Sequence, residues 1–200
     1  AKLVSPDGFR LALAGQGDAS IRQDAEPHRY SVAAGFPNSL YLLRDVPEVA
    51  ELPVSLRERP LQVTFASEDG SAIASPQYAT AQAMECRCAG ESRPGIFAHP
   101  PDNGQTIIDF PMTLPREGAE FATYVGLREG SKSDGCAFIV QVNGRTLARR
   151  LIAPEDGWQE MNADLADYAG KPVVLSLITD SAGSFGFDWA CWGEPAIRAK

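Results

Sequence analysis

Residues 136–152 read CAFIVQVNGRTLARRLI, and no other stretch restricts the fold as much. In an extended chain, side chains alternate between two faces, so Cys136, Phe138, Val140 and Val142 form one apolar row. The run stops at Asn143-Gly144, a dipeptide that accepts the positive φ angles of a tight hairpin turn. Residues 145–152 are therefore expected to return antiparallel. A lone hairpin is at best marginally stable in water, so this one must join a wider sheet and bury its apolar row against a second layer.

The rest of the chain repeats the pattern. TIIDFPMTL (106–114) sets Ile108, Phe110, Met112 and Leu114 on one face, and EFATYVGL (120–127) does the same with Phe121, Thr123, Val125 and Leu127. PVVLSLIT (172–179) is almost continuously apolar, as in a central strand. FRLAL (9–13), SLYLL (39–43) and LQVTFAS (61–67) are shorter strands, ATAQAMECRC (79–88) also alternates in twos, and a last strand is expected over 187–192. The helical signal is one turn at ADLADYAG (163–170), started by Asp164 and stopped by Gly170. AGESRPGIFAHPPDNG (89–104), with Pro94, Pro100 and Pro101, is expected as the longest loop. The fold class is all-β: an antiparallel β-sandwich of jelly-roll type.

The chain's 200 residues are enough for a large core, and the formal net charge is −8. That charge argues against nucleic acid as a partner, since phosphate binding needs clustered cations and the nearest cluster is Ala148-Arg149-Arg150. No apolar run approaches the length of a membrane span, and no leader segment is visible. Gly-Gln-Gly at 15–17 lacks the strand-to-helix setting of a nucleotide site. There is no Gly-x-Ser-x-Gly and no His-Glu-x-x-His, and His99 sits in a proline-rich run with no evident nucleophile. A glycosidase needs two carboxylates at a set separation, which 26 acidic residues leave undefined.

Four cysteines are present: Cys86, Cys88, Cys136 and Cys191. On one strand, Cys86 and Cys88 share a face with Cα atoms about 6–7 Å apart, at the limit of a disulfide. Bridges to Cys136 or Cys191 are the better reading. Free buried thiols and a metal site are the alternatives, the last poorly matched by the Cys-x-Cys spacing.

Four motifs occur in order: IFAHPPDNGQTIIDFPMTLP, VGLREGSKSDGCAFIVQVNG, WQEMNADLADYAGKPVVLSLITD and FDWACWGEPAI. Together they resemble the galactose-binding-domain-like jelly rolls that accompany bacterial glycoside hydrolases as carbohydrate-binding modules. The resemblance covers about half the chain, residues 96–197, and implies a division into an N-terminal strand segment (1–95), either separate or part of the same sandwich, and a jelly roll (96–200). The first segment, through DGFRLALAGQGDASIR and GFPNSLYLLRDV, faintly resembles the opening of sandwich domains in large secreted glycosidase-like proteins. That implies an accessory piece of a larger protein, secreted or at the cell surface.

The resemblance further implies a polysaccharide or oligosaccharide ligand and a structural calcium. Late-strand aspartates hold calcium in related sugar-binding jelly rolls, which singles out Asp134, Asp180 and Asp188 as oxygen donors. Asp188 hydrogen-bonded to backbone or to Arg128 is the plainer reading. An aromatic face stacks on the apolar face of a sugar ring. Trp192, just before Gly193 and Pro195, is expected as the exposed platform, with Tyr124, Arg128 and Phe185 completing the surface. Arg128 and Asp134 would clamp vicinal hydroxyls or else brace their loop as an ion pair. Trp158 and Trp189 are expected in the core. The leading function is non-catalytic carbohydrate binding. A structural sandwich packed on a catalytic domain and a small glycan-active hydrolase or lyase are the alternatives.

Overall fold

The computed structural model describes residues 51–200, Ser75 excepted, in full, and within residues 1–50 only the backbone of five strands. Those five are β1 (Lys2–Val4), β2 (Phe9–Gly15), β3 (Ser20–Gln23), β4 (Arg29–Ala33) and β5 (Asn38–Arg44). They pair antiparallel as β1-β4-β3 and as β2-β5. The strands expected at 9–13 and 39–43 fall within β2 and β5; Gln16 and Gly17 of the Gly-Gln-Gly run lie outside the described residues.

Eleven strands follow: β6 (Val54–Ser55), β7 (Gln62–Ser67), β8 (Thr80–Cys88), β9 (Glu91–His99), β10 (Gly104–Thr113), β11 (Ala119–Leu127), β12 (Cys136–Val142), β13 (Arg145–Ile152), β14 (Gln159–Asp164), β15 (Pro172–Asp180) and β16 (Ala190–Ala199). One sheet has the order β13-β12-β15-β10-β7, the other β14-β11-β16-β9-β8 with β6 added against β16. Every pairing is antiparallel, and the two sheets pack as a β-sandwich. Residues 54–88 thus supply three strands to the same two sheets as the later residues.

The core is built from the alternating rows. Ile108, Phe110 and Met112 of β10, Phe138, Val140 and Val142 of β12, and Leu175 and Leu177 of β15 face Ile96, Phe121, Val125, Leu127, Trp192 and Ile197 of the other sheet. Each large side chain so buried contributes about 1.5–3 kcal/mol of hydrophobic stabilisation. Asn143 and Gly144 turn the β12–β13 hairpin with φ of 50° and 81°. Ala166–Tyr168 forms the one-turn helix, its entry fixed by the Asp164 carboxylate accepting the Ala166 N–H at 2.9 Å.

Two elements differ from expectation. The stretch expected as a long loop contains β9, paired on both sides. Gly95 serves close approach there rather than a turn: a Cβ on it would lie 2.4 Å from the Trp192 carbonyl oxygen. Pro94 sits just past the last residue of β9 paired to β16, so its missing N–H breaks no bond to the central strand. The final strand runs over 190–199 rather than 187–192. Residues 187–189 belong to the preceding loop, with the Trp189 N–H bonded back to the Phe187 carbonyl at 2.7 Å.

Beyond Gly95 the β8–β9 hairpin leaves the sheet edge and folds across its outer face. Its tip reaches elements beyond β16: the Glu129 N–H donates to the Arg87 carbonyl at 2.8 Å, and Trp158 Nε1 donates to the Glu91 carbonyl at 3.0 Å. Beneath it lies a second apolar cluster of Cys86, Cys88, Phe97 and Cys191, flanked by Met84, Trp158 and Trp189.

Candidate functional site

The register brings one set of strand ends together. Ser67 lies opposite Gly104, Thr80 opposite His99, Leu127 opposite Ala190, Cys136 opposite Ile152, and Ala137 opposite Asp180. Three loops meet at this end: 100–103, 128–135 and 181–189. They are tied by short-range bonds. The Asn103 N–H donates to the Gly183 carbonyl at 3.3 Å, and the Gly104 N–H to Ser181 Oγ at 3.1 Å. The Arg128 N–H donates to the Trp189 carbonyl at 2.8 Å, and Ser131 Oγ to the Phe187 carbonyl at 2.7 Å.

These bonds hold Phe187 outward. Its carbonyl is fixed by Ser131 and by the Trp189 N–H, and the next side chain, Asp188, is buried below, so residue 187 takes a left-handed backbone with φ of 63°. That conformation is unfavourable for a bulky residue and persists only where surroundings impose it. The Phe187 ring is 48% exposed and lies 5.6 Å from the Trp189 ring, tilted at 58°. Lys132 Nζ stands 5.8 Å from its centroid.

Among the described residues, the exposed large hydrophobic side chains are Tyr78, Leu151 and Phe187. All three belong to this end: Tyr78 precedes β8 by two residues, and Leu151 lies opposite Ala137 and beside Gly135. Tyr78 lies beside the edge strand β8 of one sheet and Leu151 on the edge strand β13 of the other, with Phe187 on a loop of the same end.

Asp188 anchors the loop from below. Its Oδ1 accepts a short bond from Ser133 Oγ, which in turn receives the Gly135 N–H at 2.9 Å. Its Oδ2 is buried with no hydrogen-bond partner. Burial, with the charges of Asp134 and Asp180 nearby, pushes its pKa up to about 7 against the opposing pull of Ser133. Cys136, close by, donates to the Asp180 carbonyl at 3.1 Å, and burial beside Asp188 and Asp180 pushes its thiol well up. Both Asp180 oxygens have partners, Gln105 Nε2 at 2.6 Å and the Ala182 N–H at 2.8 Å. Among the described residues no three His, Cys, Asp or Glu side chains come together as a ligand group. Asp134 and Asp180 thus lie near enough to disfavour a charge on Asp188, but the three do not form a cage.

The sequence-named residues divide. Trp192 is not the exposed platform: it is fully buried, its indole N–H donating to Thr179 Oγ1 at 3.0 Å, because β16 runs on past Gly193 and keeps residue 192 on the inward face. Tyr124 points outward, but the Arg93 guanidinium covers its ring at 3.7 Å. It sits four residues, about 13 Å, along β11 from Arg128. Arg128 is at the loop end, half-buried over the rings of Phe97 (5.5 Å) and Trp189 (5.9 Å). Asp134 is exposed on the same loop; among the described residues it makes no ion pair with Arg128, and the partner of Asp188 is Ser133 rather than Arg128. Phe185 is half-buried and meets His99 edge-on at 5.9 Å. His99 is itself buried, with Nδ1 2.7 Å from the Pro100 carbonyl, and burial lowers its pKa. Trp158 is half-buried against Gly126 and Gly193 rather than in the central core. Trp189, expected in the core, is half-buried in the 181–189 loop because β16 begins only at Ala190, and sequence reasoning did not name Phe187, Ser131 or Ser133 as candidates. The signal was Phe-Asp-Trp itself: one residue of the three must leave a strand pattern if Asp188 is to be buried.

The chain is an antiparallel β-sandwich with three loops gathered at one end. No protein-family model matches the chain. The fold is shared with CBM51 modules of bacterial proteins. The CBM51 of Clostridium perfringens GH95, solved with methyl-galactose, superposes with a TM-score of 0.52 at 17% identity, over 72% of this chain and 99% of that one. The CBM51-2 and INT domains of C. perfringens ZmpB give 0.52 at 14% identity, over 90% of this chain and 40% of that one. The tandem CBM51 modules of Sp3GH98, a family 98 glycoside hydrolase of Streptococcus pneumoniae SP3-BS71, give 0.51 at 12%, over 86% and 56%. In sequence, an uncharacterised protein of Archaeoglobus fulgidus is 27% identical over 119 residues, 52% of this chain and 30% of its own length. This chain thus matches less than a third of that relative.

Proposed function

We propose that this chain is a non-catalytic carbohydrate-binding module that takes its glycan at the loop end carrying Phe187 and Trp189. The observation that carries the reading is the outward Phe187, held in a left-handed backbone by its neighbours, at the same pole as Tyr78 and Leu151. An aromatic face there stacks on a sugar ring, while Lys132, Asp134 and the loop backbone reach its hydroxyls. Two proteins of the same fold support a sugar at such a module: the GH95 CBM51 was solved with methyl-galactose and the ZmpB CBM51-2 with GlcNAc. In this reading the module belongs to a larger secreted or cell-surface glycan-active protein and holds its catalytic domain near a polysaccharide.

The same reading includes a structural calcium at this end, centred on Asp188, although no ready-made group of three ligand side chains is in place among the described residues. The unpartnered Asp188 Oδ2 is a buried oxygen donor in a negative neighbourhood, the setting of a hard cation with oxygen ligands. Asp188 would hold the ion, with Asp134 and Asp180 adding charge and loop carbonyls completing the shell. Bound there, calcium would stiffen the loops that present Phe187.

The test is a glycan array on the purified chain, with calcium and with chelator, repeated with Phe187→Ala and Trp189→Ala. Binding of a defined glycan that both substitutions weaken supports the reading. A folded chain that binds no glycan in either condition overturns it and favours a structural sandwich docked on a neighbouring domain.

A further inference from the structure

The cysteines under the β8–β9 hairpin are not accounted for by the glycan reading. Cys86 and Cys88 lie two residues apart on one face of β8, and Cys191 lies on the central strand β16 beneath them. All four cysteines of the chain are buried thiols in the structure. Cys86, Cys88 and Cys191 pack together in one buried cluster, with Cys191 in interaction range of both the others. Cys136 is elsewhere, bonded to the Asp180 carbonyl and packed in the central core. The topology therefore removes Cys136 as a partner and leaves one sulfur on the sheet facing two on the hairpin. Of those two, Cys88 is lodged over β11: its Sγ would lie 3.1 Å from a Cβ on Gly126. Cys86 is the hairpin thiol on which Cys191 acts most strongly.

We infer that Cys86 and Cys191 form a disulfide in an oxidising environment, fastening the β8–β9 hairpin to the central strand, with Cys88 as a third thiol placed for exchange. The pairing joins segments more than a hundred residues apart in sequence, the case in which a cross-link most restricts the unfolded chain. It also braces the candidate site. The hairpin tip holds the 128–135 loop through the Arg87 carbonyl and the Arg87–Glu129 ion pair at 2.8 Å.

The chemistry balances with an external disulfide such as oxidised glutathione. Before the hairpin closes, the Cys86 thiolate attacks that disulfide and expels one thiolate, leaving a mixed disulfide. The Cys191 thiolate then attacks the Cys86 sulfur and expels the second. Two S–H bonds are lost, one S–S bond forms, and the external disulfide is reduced to two thiols. In the closed fold the Cys191 thiol is buried and its pKa pushed up, so the exchange runs before the hairpin seals over it.

The sequence supplies a clean test. Trypsin cuts after Arg87, between Cys86 and Cys88, and leaves all four cysteines on different peptides. The whole chain is refolded in a mixture of reduced and oxidised glutathione, its free thiols are blocked under denaturing conditions, and it is digested without reduction. A Cys86–Cys191 linked pair, with Cys88 and Cys136 blocked, is the expected result. Cys88→Ser should keep the link, and reduction should lower the melting temperature by several degrees in wild type but not in Cys191→Ser. Four blocked thiols in a folded chain, or a link from Cys191 to Cys136 or Cys88, overturns the proposal. The wild-type map decides even if a substituted chain fails to fold.

Discussion

The rings of Phe138 and Trp192 meet edge to face between the two sheets, their centroids 5.0 Å apart and their planes at 73°. The contact ties β12 to β16, and Thr179 takes the indole N–H from the same direction as Phe138. Trp192→Ala removes both contacts and opens a cavity in the core. It should cost about 3–5 kcal/mol of stability in urea unfolding. A loss below about 1 kcal/mol, the size typical of surface positions, would contradict the burial.

Phe187→Ala should behave in the opposite way. The side chain is half in water and its backbone is already in an unfavourable region, so stability should change by no more than about 0.5 kcal/mol. Glycan affinity, by titration against an array-identified sugar, should fall on the order of tenfold, the loss of about 1.4 kcal/mol of stacking. An unchanged affinity would remove Phe187 from the site.

Much of the fold is written in local pattern. The rows Ile108, Phe110, Met112 and Phe138, Val140, Val142 meet the core as their spacing predicts, although the residues between them are largely buried too, and Asn143-Gly144 sets the hairpin turn. β9 was harder to read, since Gly95 and Pro94 look like punctuation until Trp192 is known to cross Gly95. The site was harder still. Trp192 and Trp189 differ by three positions, and which one is buried depends on where β16 begins, which is set by the Ser131 and Ser133 bonds from a loop more than fifty residues earlier. No spacing within the Phe-Asp-Trp run encodes that.

Asp188 gives the metal-free protein a definite pH dependence. Its folded pKa is raised to about 7 from the usual 3.8, so between those values the folded state binds more protons than the unfolded one. Stability from this group is full below about pH 4 and is lost as pH rises through about 7, a change on the order of a few kcal/mol. The groups facing it are Asp134, Asp180 and the Ser133 hydroxyl. In chelator, thermal unfolding should therefore occur at lower temperature at pH 8 than at pH 5.5 once the other carboxylates are controlled for by Asp188→Asn. Added calcium should raise the melting temperature at pH 8 in wild type and not in Asp188→Asn. A calcium effect that survives Asp188→Asn would place the ion elsewhere.

Two glycines of one hairpin should respond differently to the same added methyl group. At Gly95 a Cβ would fall 2.4 Å from the Trp192 carbonyl oxygen and 3.2 Å from the Gly193 Cα, both backbone atoms of the central strand that cannot move without breaking the ladder. At Gly90 a Cβ would meet nothing within 4 Å, and the cost is the positive φ of 84° alone. Gly90→Ala should then cost about 1 kcal/mol. Gly95→Ala should cost at least about 2–3 kcal/mol, since it must part β9 from β16 or strain both. It should also loosen the hairpin tip, read as faster amide exchange at Glu129, whose N–H is held by the Arg87 carbonyl. Equal losses for the two substitutions would mean that β9 does not lie against Trp192 as described.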